Sequence, residues 1–218
     1  IMLYEPAELV LSAAAGTSMM EIQQALAAEN QQLAFEPPDF SSLYGGNNSG
    51  TLGGTIAANL SGSKRLQAGA ARDHFLGFEA VSGRGEEFKS GGRVVKNVTG
   101  FDLSKLLAGS FGTLAAMTSV TVKVLPKPDK TRTVLLYGLD DEAAVKALSE
   151  TLQGPFEINS AAHLPANIAA KSAVSYIASS GGSVAAVRVQ GPEPSVEVRC
   201  RAVRALWQAH GEVEELHG

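Results

Sequence analysis

Hydrophobic and polar positions at the start of the chain predict a strand, a helix and a second strand. Residues 9–14 form an apolar run that ends at a Gly-Thr pair and is typical of a strand. Ser18 and Glu21 have the spacing of a capping box, which predicts a helix over about residues 18–30. The apolar face of this helix recurs at helical spacing and comprises Met19, Ile22 and Leu26. Residues 32–36 then predict a short strand before two prolines.

The middle of the chain begins with a glycine-rich stretch and continues as a β-hairpin. Residues 45–62 have the sequence GGNNSGTLGGTIAANLSG, in which the short apolar segment from Thr55 to Leu60 can begin a helix. Residues 74–92 predict two strands around a turn at residues 82–85, because apolar runs flank a Ser-Gly-Arg-Gly sequence.

A short helix and a long strand are predicted next. Thr99 and Asp102 are spaced as capping-box partners for a helix that Gly109 ends. The apolar residues of this helix are Leu103, Leu106 and Leu107. The strand that follows directs alternate valines inward, at positions 120, 122 and 124. Prolines at positions 126 and 128 then mark an expected domain boundary.

Beyond these prolines the predicted order is strand-helix-strand-strand-helix-strand. The predicted strands span residues 131–137, 157–164, 183–190 and 212–216. The predicted helices span residues 141–153, with Val145, Leu148 and Leu152 inward, and residues 194–210, with Val196, Cys200, Val203 and Trp207 inward. This order is typical of a ferredoxin-like α+β domain, in which two helices cover one face of a sheet. We therefore expect two domains, residues 1–128 and 129–218.

Composition excludes several classes of protein. Hydrophobic residues make up 44% of the chain and charged residues 18%, and the net charge of -4 lacks the basic excess of a nucleic-acid binder. No apolar run approaches the roughly 18 residues that span a bilayer. Cys200 is the single cysteine, and the four histidines have no ligand spacing, so we expect a cytoplasmic protein without a disulfide or a metal site.

The glycine-rich stretch is the first candidate for ligand chemistry. It contains neither the G-x-G-x-x-G fingerprint of dinucleotide-binding folds nor a P-loop. Gly53 and Gly54 directly precede the apolar segment, where the free N–H groups of a helix start could face an anion or a polar ring. The alternative is a flexible loop before a buried helix. A second cluster, with Gly109, Gly112 and Thr113 between a helix and a strand, favours a ligand.

Three segments, in this order and spacing, resemble a known family. They are GTLGGTIAANLSG, GAARDHFLGFEAVSGRGE and GGRVVKNVTGFDLSKLLAGSFGTLAAMTSVTVKVLPKP. Together they resemble the FAD-binding domain of the vanillyl-alcohol-oxidase or PCMH type, and in particular the FAD-binding subunits of bacterial glycolate oxidases. Subunits similar to D-lactate dehydrogenase are the near alternative. The resemblance covers most of residues 1–128, and the segment KNVTGFDLSKLLAGSFGTL is the most specific part of it.

The resemblance implies an α+β fold in which FAD lies extended between two subdomains, under a ferredoxin-like cap. Residues 1–128 would then be the second FAD-binding subdomain, and residues 129–218 a truncated cap or substrate domain. The implied cofactor contacts are Gly50, Thr51, Leu52, Gly53, Gly54, Asn59, Gly62, Arg72, Val81, Gly112 and Leu114. Asn59 is expected in the helix after the glycines. The loop that clasps the diphosphate in this family is expected to be missing, so we expect this fragment alone to bind FAD weakly or not at all.

The implied function is oxidation of a small 2-hydroxy acid by hydride transfer to flavin, with glycolate and glyoxylate as the first candidates for substrate and product. A D-lactate dehydrogenase-like oxidoreductase and a non-catalytic assembly or electron-transfer subunit stay open as alternatives. The implied partners are a companion flavoprotein subunit and an iron-sulfur subunit, through which the chain would reach the inner membrane. No residue matches a catalytic position of the family, so the catalytic base stays unassigned.

Overall fold

The computed structural model describes residues 1–41, 43, 45, 50–92 and 101–217. The predicted capping residue Thr99 and the front of the glycine-rich stretch, residues 46–49, lie outside these described residues. The chain forms two compact units, Ile1–Lys127 and Pro128–Gly218, which we call unit 1 and unit 2.

Unit 1 is an antiparallel sheet with short helices on one face. Its strands are β1 Leu3–Glu5, β2 Val10–Ala14, β3 Gln31–Gln32, β4 Phe75–Ser82, β5 Glu87–Gly91, β6 Ala115–Lys123 and β7 Leu125–Pro126. Its helices are α1 Met19–Ala28, α2 Leu52–Ala57, α3 Arg65–Ala68, α4 Ala71–His74 and α5 Leu103–Leu107. Five strands form one sheet in the order β1-β2-β6-β4-β5, and β3 pairs with β7 beside it.

The core of unit 1 lies between this sheet and its helices, and α1 and β6 carry much of it. Met19, Ile22 and Leu26 of α1 are buried, as their spacing predicts, and so are the inward valines 120, 122 and 124. Ser18 caps α1 through its hydroxyl, which accepts from the Glu21 amide at 3.2 Å. The cap and the apolar stripe therefore place α1 against the sheet.

In unit 1 one predicted strand is wrong, and Asp102 caps its helix as expected but at a different position of the cap. The strand expected over residues 32–36 is limited to Gln31–Gln32, because residues 33–35 form a buried turn closed by a bond from the Glu36 amide to the Leu33 carbonyl at 3.1 Å. Asp102 is the N-cap of α5 itself, since its carboxylate accepts from the Lys105 amide at 3.2 Å. The apolar pattern of residues 33–35 therefore indicates only that these residues are buried. Turns can be buried as well as strands, so the pattern alone does not identify a strand.

Unit 2 has the predicted ferredoxin-like topology. Its strands are β8 Lys130–Tyr137, β9 Ser160–Leu164, β10 Val184–Gly191 and β11 Val213–His217. Its helices are α6 Asp141–Gln153, α7 Ala166–Ala169, α8 Ser175–Ala178 and α9 Glu193–Trp207. The sheet order is β11-β8-β10-β9 with every neighbouring pair antiparallel, so each long helix follows a strand and leads to another. The α+β fold class is therefore confirmed.

The two long helices of unit 2 differ in how well their buried faces were predicted. Val196, Cys200, Val203 and Trp207 of α9 are all fully buried, as expected. In α6 the prediction is wrong for Val145 and Leu152, which are 58% and 42% exposed. The buried face of α6 comprises Ala144, Ala147, Leu148 and Thr151. On this face the Thr151 hydroxyl accepts a hydrogen bond from the Trp207 indole N–H of α9 at 2.7 Å.

Candidate functional site

Helix α2, which carries the first glycine cluster, is anchored at its start by bonds within unit 1. Thr51 is its N-cap and accepts from the Gly54 amide at 3.1 Å. The Leu52 amide donates to the Thr17 carbonyl at 2.9 Å, and the Gly53 amide donates to the Ala15 carbonyl at 2.8 Å. The expectation that these N–H groups are free for an anion is therefore wrong. They hold the helix on the turn that follows β2.

Gly53 is a packing position. A Cβ added there would lie 2.6 Å from the Ala15 Cβ and 2.9 Å from the Ala15 carbonyl oxygen, far inside normal contact distances. Leu52 and Gly53 are also buried, together with Thr55 and Ile56. These residues pack α2 against the interior of unit 1. Only the opposite face of the helix is therefore open to a ligand.

That open face has almost no side chains. Gly54 is exposed, and Ala57 and Ala58 are half-buried at positions three and four residues further along the same helical face. Gly50, exposed and with a φ of +82°, precedes the helix. We call Gly50, Gly54, Ala57 and Ala58 the α2 track. Because its side chains are no larger than a methyl group, a flat ligand could lie against the helix backbone.

The second glycine cluster is tied to the far end of the α2 track. The Gly109 amide donates to the Ile56 carbonyl at 3.1 Å, and the Phe111 amide donates to the Ala57 carbonyl at 2.8 Å. Gly109 and Gly112 have φ values of +82° and +75°, conformations that glycine adopts most easily. Gly112 and Leu114 are exposed in the same loop. The structure thus brings together two clusters that lie far apart in the sequence.

Asn59 joins the end of α2 to helix α4. It lies just beyond the end of α2 with a φ of +50°, and not inside the helix as expected. Its side-chain oxygen accepts from the Arg72 amide at 2.9 Å, and the Ser61 hydroxyl accepts from the Ala71 amide at 2.8 Å. The Arg72 side chain is exposed. Arg72 therefore meets this cluster through its backbone.

Gly62 and Val81 lie around the edge of this arrangement. A Cβ at Gly62 would overlap the carbonyl oxygen of Glu36, so this glycine allows two backbone segments to meet. Val81 lies in β4 opposite Ala116 of β6, and it lines a cavity of about 490 Å³ on the sheet. The neighbouring pair is Ser82 and Ala115, the residue directly after Leu114. Val81 is thus placed at the same sheet end as the second glycine cluster.

Sequence reasoning missed three features near this site. Ala57 and Ala58 are ordinary helix residues in a sequence, and only their open face shows them to be part of the track. Phe111 has a positive φ of +54° that no composition signal predicts. His74 is buried at the end of α4, where its Nε2 donates to the Ala68 carbonyl at 2.8 Å. Burial lowers the pKa of His74, so the ring is held neutral.

Comparison with known proteins indicates a cofactor for the N-terminal part of the chain. Residues 1–91 match the family described as FAD binding domain. FAD is therefore the cofactor of this domain. This match covers less than half of the chain. The match contains α2, its anchor in the Ala15–Thr17 turn, Asn59 and Arg72, whereas the second glycine cluster follows it along the chain.

Several curated proteins are similar to part of this chain. Glycolate oxidase subunit GlcE of Escherichia coli is 41% identical over 125 residues, which cover 57% of this chain and 34% of that protein. Glycolate oxidase subunit GlcD of Bacillus subtilis is 34% identical over 65% of this chain and 29% of its own length. A D-lactate dehydrogenase of Archaeoglobus fulgidus is 35% identical over 52% of this chain and 24% of its own. The matched regions thus span between 24% and 34% of the length of these relatives.

Solved structures agree on the fold. Two crystal forms of alkyldihydroxyacetonephosphate synthase match the whole chain with TM-scores of 0.74 and 0.73, at 18% identity, over 41% of that protein. At this identity the likeness shows the fold alone. In the described part of the chain, no helix is long and apolar enough to cross a membrane. Residues 1–41, 43, 45, 50–92 and 101–217 also contain no group of three or more His, Cys, Asp or Glu side chains that could hold a metal ion.

The residues of unit 1 fit FAD on structural grounds. The α2 track offers backbone without projecting side chains, which suits the flat rings and extended chain of a dinucleotide. The Gly54 amide donates to the Thr51 hydroxyl and the Ala58 amide to the Gly54 carbonyl, so these track residues would contribute shape and van der Waals contact more than charge neutralisation. FAD, when bound, supplies the capacity to accept a hydride, and the protein supplies orientation and exclusion of water.

Proposed function

We propose that this chain is part of an FAD-dependent oxidoreductase that acts on a small 2-hydroxy acid, with oxidation of glycolate to glyoxylate as the first candidate reaction. The observation that carries the proposal is the joining of the two glycine clusters through α2. The Gly109 and Phe111 amides bind the carbonyls at the end of the same helix that begins at Thr51. One continuous surface is thereby available to an extended cofactor.

The proposed cofactor contacts fall into two groups. Gly50, Thr51, Gly54, Gly112 and Leu114 are exposed or half-buried and are proposed to touch FAD directly. The others are Leu52, Gly53, Asn59, Gly62, Arg72 and Val81, which are proposed to shape or border the surface. Leu52 and Gly53 support this division because they are buried against the core.

Unit 2 is proposed to serve as the cap or substrate domain, in a division of the chain into residues 1–128 and 129–218. Its ferredoxin-like sheet supports the cap role. The relatives named above support a substrate domain, because their names are those of oxidoreductases of hydroxy acids. The general base that takes the hydroxyl proton is not assigned to any residue of the chain.

Substrate choice is tested by reduction of the bound flavin in the complete gene product. Under anaerobic conditions, glycolate, D-lactate and D-2-hydroxyglutarate are each mixed with the protein while the visible flavin band is followed. Glycolate should bleach the band fastest. Faster bleaching by D-lactate would favour the second candidate, which the similarity to a D-lactate dehydrogenase supports. Bound flavin that none of the three acids reduces would contradict a 2-hydroxy acid oxidoreductase.

A non-catalytic assembly or electron-transfer subunit is the alternative from another class. Relatives named as subunits support the further proposal of a complex with a companion flavoprotein subunit and an iron-sulfur subunit. In that setting the chain would lie in the cytoplasm and reach the inner membrane only through its partners. Co-expression with the neighbouring genes and measurement of flavin and iron in the purified complex distinguish these cases. A colourless chain that takes up no added FAD would support the assembly role.

A further inference from the structure

Phe111 combines two unfavourable features in one residue. Its φ of +54° lies in the left-handed region, which a bulky side chain rarely occupies. Its side chain is also 76% exposed, so the ring gains little from burial. Strain of this kind persists where the surrounding structure enforces it, and it concentrates at sites that bind ligands.

Leu9 provides the contrast within the same unit. It also has a positive φ, of +58°, but its side chain packs against the hydrophobic core. Core packing therefore compensates for the backbone of Leu9. No such packing compensates for Phe111, whose ring lies outside the core clusters of the described residues.

The conformation of Phe111 is enforced by a rigid turn. The Ser110 amide donates to the Leu107 carbonyl at 3.1 Å, and the Thr113 amide and hydroxyl both bind the Ser110 carbonyl, at 3.0 and 2.7 Å. The Phe111 amide itself donates to the Ala57 carbonyl at 2.8 Å. Since Ala57 belongs to the α2 track, the turn holds an exposed aromatic residue directly beside that track.

We propose that the Phe111 ring packs against a flat ring of bound FAD at the end of the α2 track. This inference rests on the proposed FAD site of unit 1. Aromatic rings attract one another in offset or edge-to-face arrangements, and both ends of FAD carry flat ring systems. Contact with either ring would bury the exposed face of Phe111. That burial would offset the strain which the turn imposes.

A rival explanation is a protein docking surface. Phe101, Leu106 and Leu114 are also exposed in this part of the chain. Among these four residues, however, only Phe111 has a strained backbone, and only its amide binds the α2 track. FAD is therefore the occupant that the geometry favours, and protein docking becomes an outcome of the test.

The test compares Phe111 variants in the complete gene product. Phe111→Asn and Phe111→Gly remove the ring and tolerate a positive φ, whereas Phe111→Tyr keeps the ring. Phe101→Asn removes an aromatic side chain that is 89% exposed and serves as the matched control. FAD affinity is measured by titration of the apoprotein, and thermal unfolding is followed without and with FAD.

Removal of the Phe111 ring should raise the Kd for FAD by about two- to tenfold, the range of an aromatic pair. The apoprotein should melt at the same or a higher temperature, because the strain is relieved. Phe111→Tyr and Phe101→Asn should bind FAD like the wild type. If Phe111→Asn binds FAD with an unchanged Kd, the stacking contact is overturned while the FAD site stands. The same conclusion holds if that variant keeps its Kd for FAD but loses a partner subunit, which is the outcome expected of a protein docking surface. A wild-type protein that binds no FAD would overturn the FAD site together with this contact.

Discussion

The amide nitrogen of Gly53 donates to the carbonyl oxygen of Ala15 over 2.8 Å, and this bond fixes α2 to the turn after β2. The approach is so close that a Cβ on Gly53 would lie 2.6 Å from the Ala15 Cβ. Its neighbour Gly54 faces outward, with only the Thr51 hydroxyl within 4 Å of an added Cβ, at 3.2 Å. Adjacent glycines thus have different settings, one packed against the core and one on the exposed face that we propose meets FAD.

Substitution of each glycine by alanine should separate these roles. Gly53→Ala should destabilise unit 1 by about 1–3 kcal/mol, because the added methyl group forces α2 away from Ala15. Gly54→Ala should leave unit 1 at least as stable and lower FAD affinity, because the methyl group projects into the track. Hydrogen exchange of peptides within residues 1–127 measures the first effect, and FAD titration the second. Equal destabilisation by both variants would contradict the assignment.

Asn59 should contribute to the stability of unit 1 in two ways: asparagine tolerates the left-handed backbone conformation at this position, and its side chain accepts a hydrogen bond. Substitutions can separate these two contributions. Asn59→Gly keeps the positive φ and loses the acceptor for the Arg72 amide, so it should cost about 1 kcal/mol. Asn59→Ala loses both and should cost about 2 kcal/mol. Asn59→Asp keeps an acceptor and should have the smallest effect.

The order of these three variants in a denaturant titration of unit 1 is the critical result. If Asn59→Gly proves as stable as the wild type, the bond to Arg72 contributes nothing. If Asn59→Ala proves no worse than Asn59→Gly, the left-handed conformation carries no measurable strain.

Local periodicity was sufficient to predict the parts of the fold that bury a regular face. The spacing of Val196, Cys200, Val203 and Trp207 requires only that α9 be amphipathic, and the alternation of the valines in β6 requires only a half-buried strand. The ferredoxin-like order of unit 2 follows from the sequence of such elements. These features depend on neighbours within a few residues, which a sequence displays directly.

Features set by distant residues could not be predicted in this way. The buried face of α6 includes Thr151, whose hydroxyl is bonded to Trp207, 56 residues away. The Leu52 and Gly53 amides of α2 donate to the carbonyls of Thr17 and Ala15, which no local pattern links to the glycines. In the candidate site the glycines were visible in the sequence, but tertiary contacts decide that Gly53 is buried and Gly54 exposed.

Loss of the Thr151 hydroxyl should destabilise unit 2. Thr151→Val preserves the shape but leaves the buried Trp207 N–H without its acceptor, which should cost about 1–3 kcal/mol. Thr151→Ser keeps the acceptor and should cost less than Thr151→Val. Trp207 is the single tryptophan of the chain, so its fluorescence in a urea titration reports this unit. An unfolding midpoint unchanged in Thr151→Val would show that the bond adds no stability.

The stability of unit 1 should fall in mild acid because of His74. Burial, helped by the Lys123 charge, lowers the pKa of His74 below its ordinary value of 6.5, while the Ala68 carbonyl and Asp73 act in the opposite direction. Between the lowered pKa and 6.5 the unfolded chain therefore binds more protons than the folded one. Stability is fully present above 6.5 and declines as the pH falls toward the lowered pKa, by at most about 1.4 kcal/mol per pH unit.

His74→Gln should flatten this dependence, because glutamine can still donate to the Ala68 carbonyl and does not titrate. His217→Gln, at a side chain that is 66% exposed in unit 2, is the control and should retain the wild-type slope. Hydrogen exchange of peptides within residues 1–127, measured from about pH 5 to pH 8 with correction for the intrinsic exchange rate, gives the slope for each variant. Retention of the full acid-induced loss in His74→Gln would assign that loss to other groups.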